Sequence, residues 1–158
     1  MSATLETPSV GTIMPDIPLS DQDGAAVTLR ELTSGRSALV YFMRSSTCSF
    51  CNAHVQVIAR MVAADELTGV AVVVVTPGDA SDIATVAGKL QAGVATVVAT
   101  GAESRAAVGL SSFMTMRHSG TFVLDEGGRV LAQRTATIPT GSFSRDEALA
   151  ALAALAAR

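Results

Sequence analysis

Cys48 and Cys51 are the only two cysteines in the 158-residue chain, and only Ser49 and Phe50 separate them. The pair directly follows an apolar strand-like run, Ala38-Leu39-Val40-Tyr41-Phe42-Met43, and opens a helix-like stretch from Asn52 to Ala64. A C-x-x-C at a strand-to-helix turn suits reversible dithiol chemistry, because both sulfurs fall in the first turn, close enough to bridge. The helix N-terminus beside them favours negative charge and with it the reactive thiolate. A thiolate that attacks a peroxide O–O bond becomes a sulfenic acid, and a second thiol condenses with it to a disulfide that a cellular reductant reopens. An ordinary cysteine, with a pKa of about 8.5, is only about 3% thiolate at pH 7, and lowering that pKa by roughly two units raises the fraction to about three quarters. Arg44 stands close enough in sequence to assist. Together with the backbone N–H groups of residues 45–49 and the hydroxyl of Ser46 or Thr47, it supplies donors for peroxide oxygens.

Other chemistry is conceivable around the same pair. Cys48, Cys51 and His54 fall at i, i+3 and i+6, the spacing of a Cys2His metal site whose fourth ligand would be His118, the only other histidine. Covalent haem attachment needs C-x-x-C-H, and Asn52 stands where that histidine would be. Packing under the active-site turn is the simpler role for His54. The same sulfurs also suit thiol–disulfide exchange with a protein substrate. Met43, Met61, Met114 and Met116 either line an access path or fill gaps in the core.

These residues need a scaffold. Apolar residues make up 49% of the chain and charged ones 16%, so it carries a real core, and its length fits one domain. The net charge of −3 and scattered basic residues argue against nucleic acid. The start of the chain lacks a basic and apolar leader, and no apolar run is long enough to span a bilayer, so a cytoplasmic location without membrane contact is expected. In a reducing cytosol the cysteine pair reads as redox-active or metal-binding. Residues 1–12 read as a loose leader and 13–158 as one domain. Ile13 to Leu19 contains Pro15 and Pro18, so it is an edge segment at best. Gly69 to Thr76 is a continuous β-branched run of the kind buried inside a sheet covered on both faces. Asp79 to Leu90 reads as a helix capped by Asp79 or Ser81, Val94 to Thr100 as a strand, and Glu103 to Val108 as a short helix. Thr121 to Asp125 and Arg129 to Thr135 form a hairpin around Glu126-Gly127-Gly128. Ser144 and Glu147 make a capping box for a last helix, with Leu149, Leu152 and Leu155 on one stripe. The order predicts a mixed α/β sheet flanked by helices, parallel early and antiparallel late.

The pattern Gly11…Pro15-Asp16…Leu19…Asp23-Gly24…Leu29…Leu32, followed by Val40-Tyr41-Phe42-Met43-Arg44…Cys48-Ser49-Phe50-Cys51, resembles the alkyl hydroperoxide reductase/thiol-specific antioxidant family. Thr121-Phe122-Val123-Leu124-Asp125, with Gly127, Gly128, Arg129 and Val130, is similar to that family's F-[VI]-[IL]-D-x-x-G hairpin. The resemblance covers residues 10 to 156 or so. It implies a thioredoxin-like fold with a peroxiredoxin-type N-terminal extension. The activity it implies is that of a thiol peroxidase acting on a hydroperoxide, without a cofactor. Regeneration would come from a thioredoxin-like or low-molecular-weight thiol reductant, with a homodimer allowed. The family signature P-x-x-x-T-x-x-C, read without gaps, puts Arg44 at the proline, Cys48 at the threonine and Cys51 at the peroxidatic cysteine. Ser119 occupies the place of the family's second arginine, with Arg117 two residues upstream as its replacement, and Gly120 holds the slot of the thioredoxin cis-proline. The chain thus looks most like the peroxiredoxin-like subgroup that carries a C-x-x-C, with a thioredoxin-like disulfide oxidoreductase as the alternative and a metal-binding or redox-sensing module as a third reading.

Overall fold

A computed structural model describes residues 8–33, 35–90, 96–100, 112–113, 116–117, 119–136 and 141–156, without the side chains of residues 100, 112, 113, 116, 117, 136 and 156. Its elements run β1 (Pro18–Ser20), β2 (Ala26–Thr28), α1 (Leu29–Thr33), β3 (Ala38–Phe42), α2 (Ser49–Ala63), β4 (Ala71–Pro77), α3 (Ala80–Ala87), β5 (Thr96–Thr100), β6 (Ser112–Phe113), β7 (Met116–Arg117), β8 (Ser119–Leu124), β9 (Val130–Ala136) and α4 (Arg145–Ala156). The short helix expected at Glu103 to Val108 lies outside the described residues.

Seven strands form one mixed sheet in the order β2-β1-β5-β4-β3-β8-β9. β3, β4 and β5 are parallel, whereas β8 pairs antiparallel with both β3 and β9. The parallel pairs follow from the crossovers through α2 and α3, which carry the chain back to the same edge of each strand. The late hairpin turns on Asp125, whose carboxylate accepts the N–H groups of Gly127 and Arg129 at 2.9 Å each. One register shift, between Val123 and Leu124, interrupts it.

One expectation fails here. β1 is not an edge strand: it sits between β2 and β5. Pro18 is tolerated because it takes the first position of the strand, and the pairing with β5 runs through Ser20 and Ala99 alone. Ahead of it, Thr12 O accepts Val130 N–H and Gly11 N–H reaches Val130 O, both at 2.8 Å, so this stretch is stitched to β9.

Both faces of the sheet are covered, as the continuous apolar runs of β3 and β4 require. Val40, Phe42, Val73, Val75, Phe122 and Leu124 face a layer that includes Met14, Ile17 and Leu29. Leu39, Tyr41, Met43, Val74 and Val123 face Cys51, Val55, Ile58 and Met61 of α2, Val86 of α3 and Ala148 of α4. The buried positions of α2 recur at helical spacing from Cys51 onward, which holds that helix across the end of β3. Ser144 Oγ accepts the Glu147 N–H at 3.3 Å and starts α4 as its cap.

Candidate active site

The cysteines lie at the C-terminal end of the parallel strands, where the chain leaves β3 and turns into α2. Cys48 is the N-cap of α2, and its sulfur accepts the Cys51 N–H at 3.4 Å. The Cys51 sulfur accepts the Arg44 N–H at 3.3 Å. Both are free thiols. They differ in exposure: Cys48 is half-buried, whereas Cys51 is fully buried and belongs to the core beneath α2. Burial is the largest influence on Cys51 and pushes its thiol from the ordinary 9.0 up to about 11. The Arg44 N–H bonded to the sulfur pulls in the opposite direction and is outweighed.

The turn is held rigidly. Asn52 Nδ2 donates to Ser46 O at 3.0 Å and to Cys48 O at 2.9 Å. Ser46 is buried, and its hydroxyl donates to Asp82 Oδ1 at 2.7 Å. Asp82 is also the N3 residue of the capping box at the start of α3, where its other oxygen accepts the Asp79 N–H at 3.1 Å. Gly78 makes room for that carboxylate. Its φ is +117°, and a Cβ there would lie 1.9 Å from Asp82 Oδ2. The turn bearing Cys48 is therefore tied to α3 as well as to α2.

Beneath Cys51 lies a second polar group of residues. Tyr41, fully buried on β3, places its hydroxyl 2.7 Å from His54 Nδ1 and 3.3 Å from Ser142 Oγ. Ser142 is fixed by its carbonyl, which accepts the Thr121 hydroxyl at 2.6 Å. Burial, with the neighbouring Cys51 next, pushes the Tyr41 phenol far up, and burial lowers His54 from 6.5. Phe143 closes the site against both rings, with centroids 6.0 Å from Tyr41 and 5.6 Å from His54.

The residues singled out from sequence are distributed unevenly. Arg44 is half-buried and gives its backbone N–H to Cys51; among the described residues its guanidinium forms no ion pair. Thr47 and Ser49 are exposed, and the Thr47 hydroxyl lies 3.4 Å from Ser45 Oγ. Arg117 lies in β7, with its side chain outside the described residues, as His118 is altogether. Ser119 faces the interior with a buried hydroxyl that has no partner among the described residues. No group of three His, Cys, Asp or Glu side chains among the described residues is arranged to hold a metal, and His54 Nδ1 is engaged by Tyr41 instead. Met43 and Met61 are fully buried core; Met114 and the side chain of Met116 lie outside the described residues. Sequence reasoning missed Tyr41, Ser142 and Asp82. For Tyr41 a signal existed, since strand alternation puts it on the same face as Met43, toward the helix that carries the cysteines.

A mixed sheet flanked by helices, with a dithiol at the N-terminus of the helix that follows a central strand, defines a thioredoxin-like thiol-dependent oxidoreductase. The chain belongs to the Redoxin family, whose model matches residues 9–152. Among solved structures it is similar to a peroxiredoxin-like protein from Aquifex aeolicus, with 15% identity, 96% of this chain and 90% of that one covered, and a TM-score of 0.78. It is similar to the peroxidoxin BcpB of Mycobacterium tuberculosis, with 20% identity over 94% and 98% of the two chains and a TM-score of 0.75. It is also similar to a secreted Mycobacterium tuberculosis disulfide oxidoreductase homologous to Escherichia coli DsbE, with 19% identity over 87% and 94% and a TM-score of 0.63. A comparison with curated proteins finds no match. No helix among the described residues is long and apolar enough to cross a membrane.

Proposed function

We propose that the chain is a two-cysteine thiol–disulfide oxidoreductase in which Cys48 attacks and Cys51 resolves. The observation that carries this reading is the unequal access to the two sulfurs, half-buried at the helix cap and fully buried one turn later. The Cys48 thiolate attacks one sulfur of a substrate disulfide, forms a mixed disulfide and releases the other sulfur as a thiolate. Cys51 then loses its proton and attacks the Cys48 sulfur, which closes the internal disulfide and expels the second substrate thiolate. Two electrons pass from the dithiol to the substrate. Phe50, 53% exposed between the cysteines and flanked by exposed Ser49, offers an apolar contact for a peptide segment bearing the disulfide.

Hydroperoxide reduction is the second reading, favoured by the Arg44 guanidinium, which forms no ion pair among the described residues and would serve as a donor to a peroxide oxygen. Cys48 would attack the O–O bond, release an alcohol or water, and become a sulfenic acid that Cys51 condenses to the disulfide with loss of water. Thr47 and Arg117 belong to this reading as further donors. Burial of Cys51 supports Cys48 as the attacker in place of the cysteine that the gap-free family register assigns. In either reading a thioredoxin-like or low-molecular-weight thiol reopens the disulfide, and a cytoplasmic location belongs to the same proposal.

Steady-state turnover of a protein disulfide, hydrogen peroxide and an organic hydroperoxide under one reductant separates the two. Disulfide turnover well above peroxide turnover is expected, and the reverse ranking overturns the first reading. In either assay Cys51→Ser should accumulate a stable adduct on Cys48 and Cys48→Ser should be inert. An adduct forming on Cys51 in Cys48→Ser at the wild-type rate would reverse the roles.

A further inference from the structure

Cys48 leads into α2 as its cap, so its placement relative to Cys51 depends on what fixes the main chain of the turn before the helix. Three side chains do so. Asn52 Nδ2, in the first turn of α2, donates both to Ser46 O at 3.0 Å and to Cys48 O at 2.9 Å. The hydroxyl of Ser46, a residue only 5% exposed, donates to Asp82 Oδ1 at 2.7 Å. Asp82 Oδ2 accepts the Asp79 N–H at 3.1 Å, so the carboxylate is engaged through both oxygens. Gly78 carries no Cβ where that carboxylate lies.

The Asn52 amide adds a second, independent observation. Its Oδ1 is buried and has no partner among the described residues. Both contacts of its nitrogen are carbonyl oxygens, so turning the amide over would set acceptor against acceptor. A buried acceptor left unpaired costs free energy. An asparagine that only filled space would gain nothing from that cost, whereas one whose nitrogen must hold both carbonyls incurs it.

We infer that Asp82, Ser46 and Asn52 form a clamp that sets the reduction potential of the Cys48–Cys51 pair by holding Cys48 against the helix that carries Cys51. The inference rests on the two-cysteine cycle proposed above. The three act through the backbone of Cys48 and are positioning residues. Closing the disulfide takes two protons and two electrons from the two thiols and passes them to an oxidant disulfide, whose sulfurs become thiols. A Cys48 that is already fixed loses less freedom on closing, so the effective concentration of one sulfur beside the other is higher and the disulfide is more stable. Loosening the clamp leaves both thiols in place and shifts the equilibrium toward the dithiol.

The test equilibrates the full chain with oxidised and reduced dithiothreitol and reads the oxidised fraction by alkylation and mass spectrometry, with the thermal midpoint of the reduced protein measured alongside. Ser46→Ala cuts the link to Asp82, and Asn52→Ala cuts both carbonyl bonds. Each should shift the equilibrium at least about fivefold toward the dithiol, about 20 mV upward in potential. Asp79→Ala is the control. It removes the carboxylate that accepts the Ser81 N–H at the start of α3, while the Asp79 N–H that meets Asp82 remains. It should lower the thermal midpoint and keep the wild-type dithiol–disulfide equilibrium. An equilibrium unchanged in either folded variant, or shifted equally in Asp79→Ala, overturns the clamp and leaves the cycle standing. A wild-type protein that forms no Cys48–Cys51 disulfide overturns the cycle and the clamp with it.

Discussion

Alkylation by iodoacetamide tests the assignment of the two sulfurs most directly, because the reagent reads thiolate population and access together. Burial pushes Cys51 from 9.0 up to about 11, so at any pH well below 9 its thiolate fraction is about a hundredfold lower than that of an unhindered thiol. Cys51 is also fully buried beneath the Arg44 N–H that bonds to its sulfur, whereas Cys48, the cap of α2, is only half-buried. The two effects multiply. Pulse labelling of the reduced protein near pH 8, with peptide mass spectrometry of each cysteine, should show Cys48 modified at least about a hundredfold faster than Cys51. In Cys48→Ser the slow labelling of Cys51 should persist, because burial outranks the influence of Cys48 among the causes of its raised pKa. Unfolding in denaturant should bring the two rates together. Equal rates in the folded protein, or Cys51 reacting first, would refute the reasoning from burial and with it the proposed order of attack.

Stability should also report the buried thiol. Its folded pKa is raised, so the protonated form is favoured by folding; that contribution is intact below 9.0 and is lost as pH rises toward about 11. The reduced protein should lose on the order of 2 kcal/mol across that interval in urea titrations, and Cys51→Ala should flatten the slope. Ser46→Ala removes a hydrogen bond to a carboxylate and should cost about 1–3 kcal/mol, read as a lower thermal midpoint. Gly78→Ala should be at least as damaging, since its φ of +117° is strained for alanine and the new Cβ collides with Asp82, and calorimetry would show it. Phe122, fully buried and edge-on to Phe42 at 5.7 Å, should cost about 3–5 kcal/mol on replacement by alanine in the same denaturation assay.

The scaffold was legible wherever local chemistry and burial agree. The β-branched run at Gly69 to Thr76 became β4, the Asp79 and Ser144 caps start α3 and α4, and the glycine-rich turn after Asp125 joins β8 to β9. Position in the sheet was harder to read, because strand order is set by pairings far apart in sequence. Pro18 suggested an edge, yet β1 lies inside the sheet because one residue, Ser20, makes its contact with β5. The polar cluster under the active site shows the same limit. Tyr41 meets a partner 13 residues away in His54 and another 101 residues away in Ser142, and no local pattern joins the three.

The roles of the two cysteines rest on a conflict between two readings of the same residues. A family signature aligned without gaps assigns the attack to Cys51. Helix periodicity assigns it elsewhere: Cys51, Val55 and Ile58 recur on one stripe, and a stripe that buries valine and isoleucine buries the sulfur in register with them. Cys48 precedes the first helical residue as its cap and is only half-buried against that core. The proposed order of attack follows the packing at this turn in place of the gap-free register. His54, three residues beyond Cys51, is half-buried at the edge of that face, where its Nδ1 meets the buried Tyr41 hydroxyl at 2.7 Å.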